Sequence, residues 1–151
     1  MLKQGDKAPQ FKLKNQEGKT IELSQFLGQK VVVYFYPKDD TPGCTREAID
    51  FTQEAKRFSE SNTVILGISK DSVASHATFC NKYNLKVDLL SDEDGAVTEA
   101  FGAWQEKKNY GKTYMGIVRS TFLIDEKGVI TKSWNNVKVD GHIESILKEL
   151  A

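Results

Sequence analysis

Lys30-Val31-Val32-Val33-Tyr34-Phe35-Tyr36-Pro37-Lys38-Asp39-Asp40-Thr41-Pro42-Gly43-Cys44 is the stretch from which the fold is read. Its first half is a continuous run of β-branched and aromatic residues, the pattern of a strand buried on both faces. Pro37 ends the run. Thr41-Pro42-Gly43 then reads as a helix start, with Thr41 as the cap and Pro42 in the first turn. Ala48, Phe51, Ala55 and Phe58 follow at helical spacing, which predicts a helix to about Ser59. A buried strand feeding a helix through a short loop is half of a βαβ unit. It places Cys44 at the C-terminal edge of a sheet, where open α/β folds gather their ligands.

Working outward, Thr63 to Ser69 is a second buried strand. Asp71 or Ser72 caps another helix, with Val73, Ala77 and Cys80 on one face. Asp88 to Leu90 is a short strand and Asp94 to Phe101 a short helix. Ser120 to Asp125 and Val129 to Trp134 form a hairpin across Glu126-Lys127-Gly128. Asp140 to Leu150 closes the chain as an amphipathic helix. Ahead of Lys30, Phe11 to Lys14 and Thr20 to Leu23 alternate around Asn15-Gln16-Glu17-Gly18 and read as an N-terminal β-hairpin. The order is hairpin, βαβαβα, hairpin, helix. It predicts one domain over 1–151, with a central mixed sheet flanked by helices. A thioredoxin-like α/β fold fits this order, as do other mixed α/β arrangements.

Lys plus Arg and Asp plus Glu both number 21, and zero net charge gives no electrostatic reason for nucleic acid or an anionic membrane as partner. Lys107, Lys108 and Lys112 interleave with Tyr110 and Tyr114, but in a neutral chain they read as a solvated loop. The longest apolar run, Val31 to Tyr36, is far below membrane-spanning length. Met1 to Gln10 holds no apolar secretory core, so a cytoplasmic location is the expectation. Two cysteines cannot make a secreted disulfide framework. With His76 and His142 they number four zinc ligands, at a spacing that matches no zinc pattern. His76 reads as partly exposed on its helix and His142 as a surface residue. Asp92-Glu93-Asp94-Gly95 reads as a turn and helix cap.

Cys44 in the first turn of a helix faces free N–H groups and the positive end of the dipole, and both favour the nucleophilic thiolate. Position alone leaves an inert cysteine as open as a reactive one. The neighbours add to this. Pro37, Thr41 and Cys44 in Pro-x-x-x-Thr-x-x-Cys resemble the peroxidatic signature of the peroxiredoxins. The longer run from Tyr36 to Thr45 resembles the peroxiredoxin Q branch, also called bacterioferritin comigratory proteins. Gly5 to Phe11, Tyr110 to Lys112 and Gly116 to Phe122 are similar to the same branch, so nearly the whole chain is covered.

The resemblance implies a peroxidase. Cys44 attacks the terminal peroxide oxygen and becomes a sulfenic acid. Thr41 hydrogen-bonds the peroxide, Arg119 holds the thiolate and polarises the O–O bond, and the N–H groups of Gly43 and Cys44 add donors. Pro37 and Pro42 wall the site, and Glu47 orients Arg119. Read alone, Thr41 is only a cap, Arg119 a surface charge and Glu47 a solvated helix residue. Many members carry their resolving cysteine five residues after the first, where this chain has Ile49. Cys80 resembles the resolving cysteine of a second subgroup; read alone, it is a small core residue. The resemblance further implies a Cys44–Cys80 disulfide, reduction by thioredoxin or a similar dithiol protein, a monomer, and no metal, haem or flavin. Cys80 stands 80 − 72 = 8 residues beyond Ser72, about 12 Å along a helix, so the disulfide is expected to need local unwinding. The rivals are a one-cysteine peroxidase resolved by an external thiol, and a redox-sensing or holdase protein. A thioredoxin-type oxidoreductase lacks its Cys-x-x-Cys pair here.

Overall fold

The computed structural model describes residues 2–151. The chain opens with β1 (Lys12–Lys14) and β2 (Thr20–Glu22), then a short 3-10 turn, Leu23–Phe26, leads to β3 (Lys30–Phe35). α1 (Pro42–Gln53), α2 (Ala55–Glu60), β4 (Thr63–Ser69), α3 (Val73–Tyr83), β5 (Asp88–Ser91) and α4 (Ala96–Ala100) follow. A hairpin of β6 (Trp104–Asn109) and β7 (Lys112–Ile117) precedes β8 (Ser120–Ile124), β9 (Ile130–Trp134) and α5 (His142–Leu150). Among the described residues, seven strands form one sheet in the order β2-β1-β5-β4-β3-β8-β9. β3, β4 and β5 are parallel, and β8, β9 and the N-terminal hairpin are antiparallel, which makes the sheet mixed as expected. No helix among the described residues is long and apolar enough to cross a membrane.

Strand alternation divides the core into two layers. Val32, Tyr34 and Tyr36 face α1, α3 and α5, where they meet Phe51, Phe58, Phe79, Ile143 and Ile146. Val31, Val33 and Phe35 face the other way, onto Phe101, Phe122 and Ile130. Each such large side chain, fully withdrawn from water, contributes about 1.5–3 kcal/mol. Tyr34 stacks on Phe51 at 4.6 Å between ring centroids. Its partner across the parallel ladder is Gly67, where a Cβ would fall 2.7 Å from the Tyr34 ring, so only glycine leaves room for that phenol.

Three expectations are corrected. The helix after Cys44 is not continuous to Ser59; the chain breaks at Glu54 (φ −103°, ψ 9°), and the apolar stripe simply resumes in α2 with Phe58. The segment around Lys107 is not a loop but the β6–β7 hairpin, its register running from Trp104↔Ile117 to Asn109↔Lys112. Both histidines are buried rather than exposed. His76 bonds Asp39 and the Leu90 carbonyl, and His142 bonds the Thr121 hydroxyl, so burial costs neither ring its polar partners. The acidic turn does cap a helix: the buried Asp92 carboxylate accepts from the N–H groups of Val97 and Thr98.

Candidate active site

Register assembles the site. β3 and β8 run antiparallel with Phe35 opposite Ser120. The residue just past β3 is Tyr36 and the residue just before β8 is Arg119, so a side chain 75 positions downstream of Cys44 arrives at the same sheet edge. α1 starts at that edge. Its first intrahelical bond runs from Thr45 N–H to the Thr41 carbonyl at 2.8 Å, so the N–H groups of Gly43 and Cys44 precede the ladder and point out of the helix start.

Cys44 is buried and is a free thiol, outside any disulfide. Arg119 Nη2 donates to its Sγ at 3.3 Å, and Nη1 donates to Glu47 Oε1 at 2.6 Å. Glu47 stands one turn after Cys44, so the guanidinium fork spans two residues of one helix face. Burial works against charge on Arg119, but Glu47 and Cys44 outweigh it and hold the guanidinium above its ordinary range. Gly43 makes the approach possible, since a Cβ there would stand 3.1 Å from Nη2. Thr41 occupies the cap position, yet its hydroxyl does not cap: it donates to the Lys38 carbonyl at 2.8 Å. The expected side-chain cap is therefore not made, because the hydroxyl is turned toward the loop carbonyl rather than the helix N–H groups. Pro37 and Arg119 line one cleft of about 520 Å³ together with β6 residues Gln105 to Lys108 and with Asn135 to Val137. Pro42 lies instead in a separate depression with Ile49 and Tyr83.

Glu47 is withdrawn from solvent, and its Oε2 has no hydrogen-bond partner among the described residues. Burial pushes its carboxyl up from 4.5 to about 7, against the pull of Arg119. A carboxyl raised in the folded state adds stability below its unfolded value and loses it as pH rises through the folded one. His142 has the opposite sign: burial, then Arg119, depress it from 6.5 to about 4, so its contribution is lost as pH falls through that value. Glu47→Gln is therefore expected to remove a decline in unfolding free energy between about pH 4.5 and about pH 7, on the order of 1–3 kcal/mol. Denaturant melts across that range measure it. A slope unaffected by the substitution means that Glu47 stays ionised throughout.

Cys80 lies in α3, buried in the same apolar layer as Cys44, Tyr34 and Tyr36. Burial, then the charges of Asp39, Asp88 and Glu17, push its thiol up to about 11. No motif pointed to Asp39, a buried carboxylate held by Tyr36, Ser75 and His76 beside the site. Asp39, Asp71 and His76 bring ligand-type atoms within 4.8 Å of one another, but hydrogen bonds join these groups.

The arrangement offers a sulfur at a helix start with a guanidinium donating to it, which suits an anionic nucleophile and a developing oxyanion. A model of the AhpC/TSA family matches residues 4–133. The putative peroxiredoxin bcp of Coxiella burnetii is 51% identical over 97% of this chain and 97% of its own. Peroxiredoxin Bcp of Bacillus subtilis is 49% identical over 97% of this chain and 93% of its own. Among solved structures, a cysteine-to-serine mutant of Xylella fastidiosa PrxQ superposes with a TM-score of 0.94 at 38% identity, covering 99% of this chain and 96% of the other. Peroxiredoxin Q of Xanthomonas campestris gives 0.89 at 43% identity, covering 93% and 89%. Family match, near full-length identity and shared thioredoxin-like fold agree: the chain belongs to the AhpC/TSA family, in its Bcp/peroxiredoxin Q branch, and is a peroxidase acting on hydroperoxides.

Proposed function

We propose that Cys44 reduces hydrogen peroxide and small organic hydroperoxides, that Cys80 resolves the resulting sulfenic acid as an intramolecular disulfide, and that thioredoxin or a similar dithiol protein restores both thiols. The observation that carries the reading is the Arg119 fork, with Nη2 at 3.3 Å from Cys44 Sγ and Nη1 on Glu47. Gly43 and the start of α1 complete the donor set around the peroxide, and Pro37 borders the cleft. Thr41, whose own proton goes to the Lys38 carbonyl, offers its oxygen as an acceptor to the peroxide hydrogen. Sulfur carries both electrons, so the cycle uses no metal, haem or flavin. One chain contains every group the cycle needs, which suits a monomer, and recycling by a dithiol protein suits the cytoplasm. Work on the Xanthomonas campestris bacterioferritin comigratory protein describes alkyl peroxide reduction, in keeping with an organic substrate here.

Two observations support Cys80. Cysteine-to-serine variants of Xanthomonas campestris peroxiredoxin Q were made at two positions separated by 36 residues, the same as 80 − 44 = 36 here. The raised Cys80 thiol also explains why it waits: neutral and enclosed in α3, it becomes a nucleophile only when that helix opens. Cys80 sits on α3, about 12 Å along the helix axis beyond its cap Ser72, while Cys44 sits in the first turn of α1, so disulfide formation is expected to need one or both helices to unwind. Cys80→Ser is expected to keep the first oxidation at the wild-type rate and to lose thioredoxin-supported turnover by at least about tenfold. Peroxide consumption with a thioredoxin system and peptide mapping after one equivalent of peroxide test both parts. Full turnover in this variant would transfer resolution to an external thiol.

A further inference from the structure

Two consecutive carboxylates precede Thr41, and both are tied to the helix that carries Cys80. The Asp39 side chain is buried. Its Oδ1 accepts the Tyr36 hydroxyl at 2.6 Å, and its Oδ2 accepts the Ser75 hydroxyl at 2.8 Å and meets His76 Nδ1 at 2.7 Å. His76 Nε2 lies 3.0 Å from the Leu90 carbonyl, so the ring is held on both sides, by β5 and by Asp39. Asp40 follows with φ at +57°, a left-handed conformation that a non-glycine residue holds only when its surroundings impose it. Its carboxylate takes Lys82 Nζ at 2.7 Å and the Tyr83 hydroxyl at 2.6 Å. Ser75 and His76 belong to the first half of α3, and Lys82 and Tyr83 to its end, so the loop is fastened on both sides of Cys80.

We propose that Asp39 and Asp40 are positioning residues that latch the start of α1 to α3 and so set how long oxidised Cys44 stays in its pocket before Cys80 reaches it. The proposal rests on the reading of Cys80 as the resolving cysteine. In the first step the Cys44 thiolate takes the terminal oxygen, the O–O bond breaks, and the leaving oxygen departs with a proton as water or alcohol. The sulfenic acid then has two fates. Attack by the Cys80 sulfur forms the S–S bond and expels the sulfenic hydroxyl, with the Cys80 proton, as water. A second hydroperoxide instead transfers another oxygen and leaves a sulfinic acid. The first fate requires the loop and α3 to come apart; the second requires Cys44 to remain where peroxide binds. Latch strength therefore divides the flux between them. Release of Asp40 also lets its backbone leave the left-handed region, which swings Thr41 and the first turn of α1.

Lys82→Met combined with Tyr83→Phe removes the exposed half of the latch and leaves Asp39, Asp40 and Cys44 untouched. After one equivalent of hydrogen peroxide, disulfide formation followed by quenched intact mass is expected to quicken about fivefold, the size of a lost exposed ion pair and hydrogen bond. At excess peroxide, the sulfinic fraction is expected to fall by a similar factor. Lys82→Arg, which keeps the pair, retains the wild-type partition. Arg57→Met, which breaks the exposed pair with Glu144 elsewhere, serves as the control and leaves both readouts unchanged. A disulfide that forms at the wild-type rate in the double variant, or an equal effect from Arg57→Met, overturns the latch alone. No disulfide in the unsubstituted protein overturns the resolving role of Cys80, and the latch with it.

Discussion

Cys44→Ser is expected to abolish peroxide reduction, a loss on the order of 10⁴-fold or more. The two side chains are nearly the same size and both accept a hydrogen bond, so the Arg119 donor that now meets Sγ at 3.3 Å keeps a partner. Cys44 shares the buried face of α1 with Glu47, Ala48 and Phe51, and the near-isosteric serine leaves the rest of that face in place. Stability should change by no more than about 1 kcal/mol. What disappears is chemistry. The serine hydroxyl is un-ionised at neutral pH, and its hard oxygen cannot accept a second oxygen and persist as a sulfenic acid does. Peroxide remaining in solution, measured directly and without a coupling enzyme, gives the result. Activity retained above the background of protein-free buffer would remove Cys44 from the reaction and end the thiol peroxidase reading of this site.

The strand from Lys30 and the helix start at Pro42 were legible because each is a local pattern: a buried run closed by proline, then a cap and a first-turn proline. The mixed sheet with parallel β3, β4 and β5 followed from alternation of strands and helices, whereas the strand order did not. The β6–β7 hairpin was hidden because Gln105-Glu106-Lys107-Lys108-Asn109 offers no apolar alternation, and its turn places Tyr110 where asparagine or aspartate is usual. Tyr110 and Gly111 have φ of 50° and 76°, the positive pair that a two-residue hairpin turn demands. Arg119 was legible only through family resemblance, because nothing local links it to Cys44; the pairing of Phe35 with Ser120 does. His76 and Asp39 were missed for the same reason. Each looks solvated in its own segment, and only the approach of α3 to the loop after β3 gives them one another. Local signals thus placed Cys44 at a helix start and left its reactivity open, while the groups that meet it came from pairings across the fold.

Arg119→Ala is expected to slow the reaction of Cys44 with hydrogen peroxide by about 10²–10³-fold, the usual effect of losing a fixed donor at a developing oxyanion. The guanidinium is the charged donor that reaches Sγ from outside α1, and it is pinned there by Glu47 at 2.6 Å. Its removal leaves Glu47 buried with neither oxygen paired. That carboxyl is already pushed up to about 7 by burial, so it takes a proton instead of remaining as a stranded charge, and the fold tolerates the change. Arg119→Ala with Glu47→Gln removes even that burden and should show the same rate loss, which separates chemistry from stability. Arg119→Lys keeps a cation but not the fork: an ammonium cannot span Sγ and Oε1 in one fixed plane, so it should recover only part of the rate. Rapid mixing of reduced protein with peroxide, followed through the first oxidation alone, reads this step without interference from resolution or recycling. A first-step rate unchanged in both the single and the double variant would leave Arg119 with no task beyond neutralising Glu47, and would shift the burden of peroxide activation onto Thr41 and the N–H groups at the start of α1.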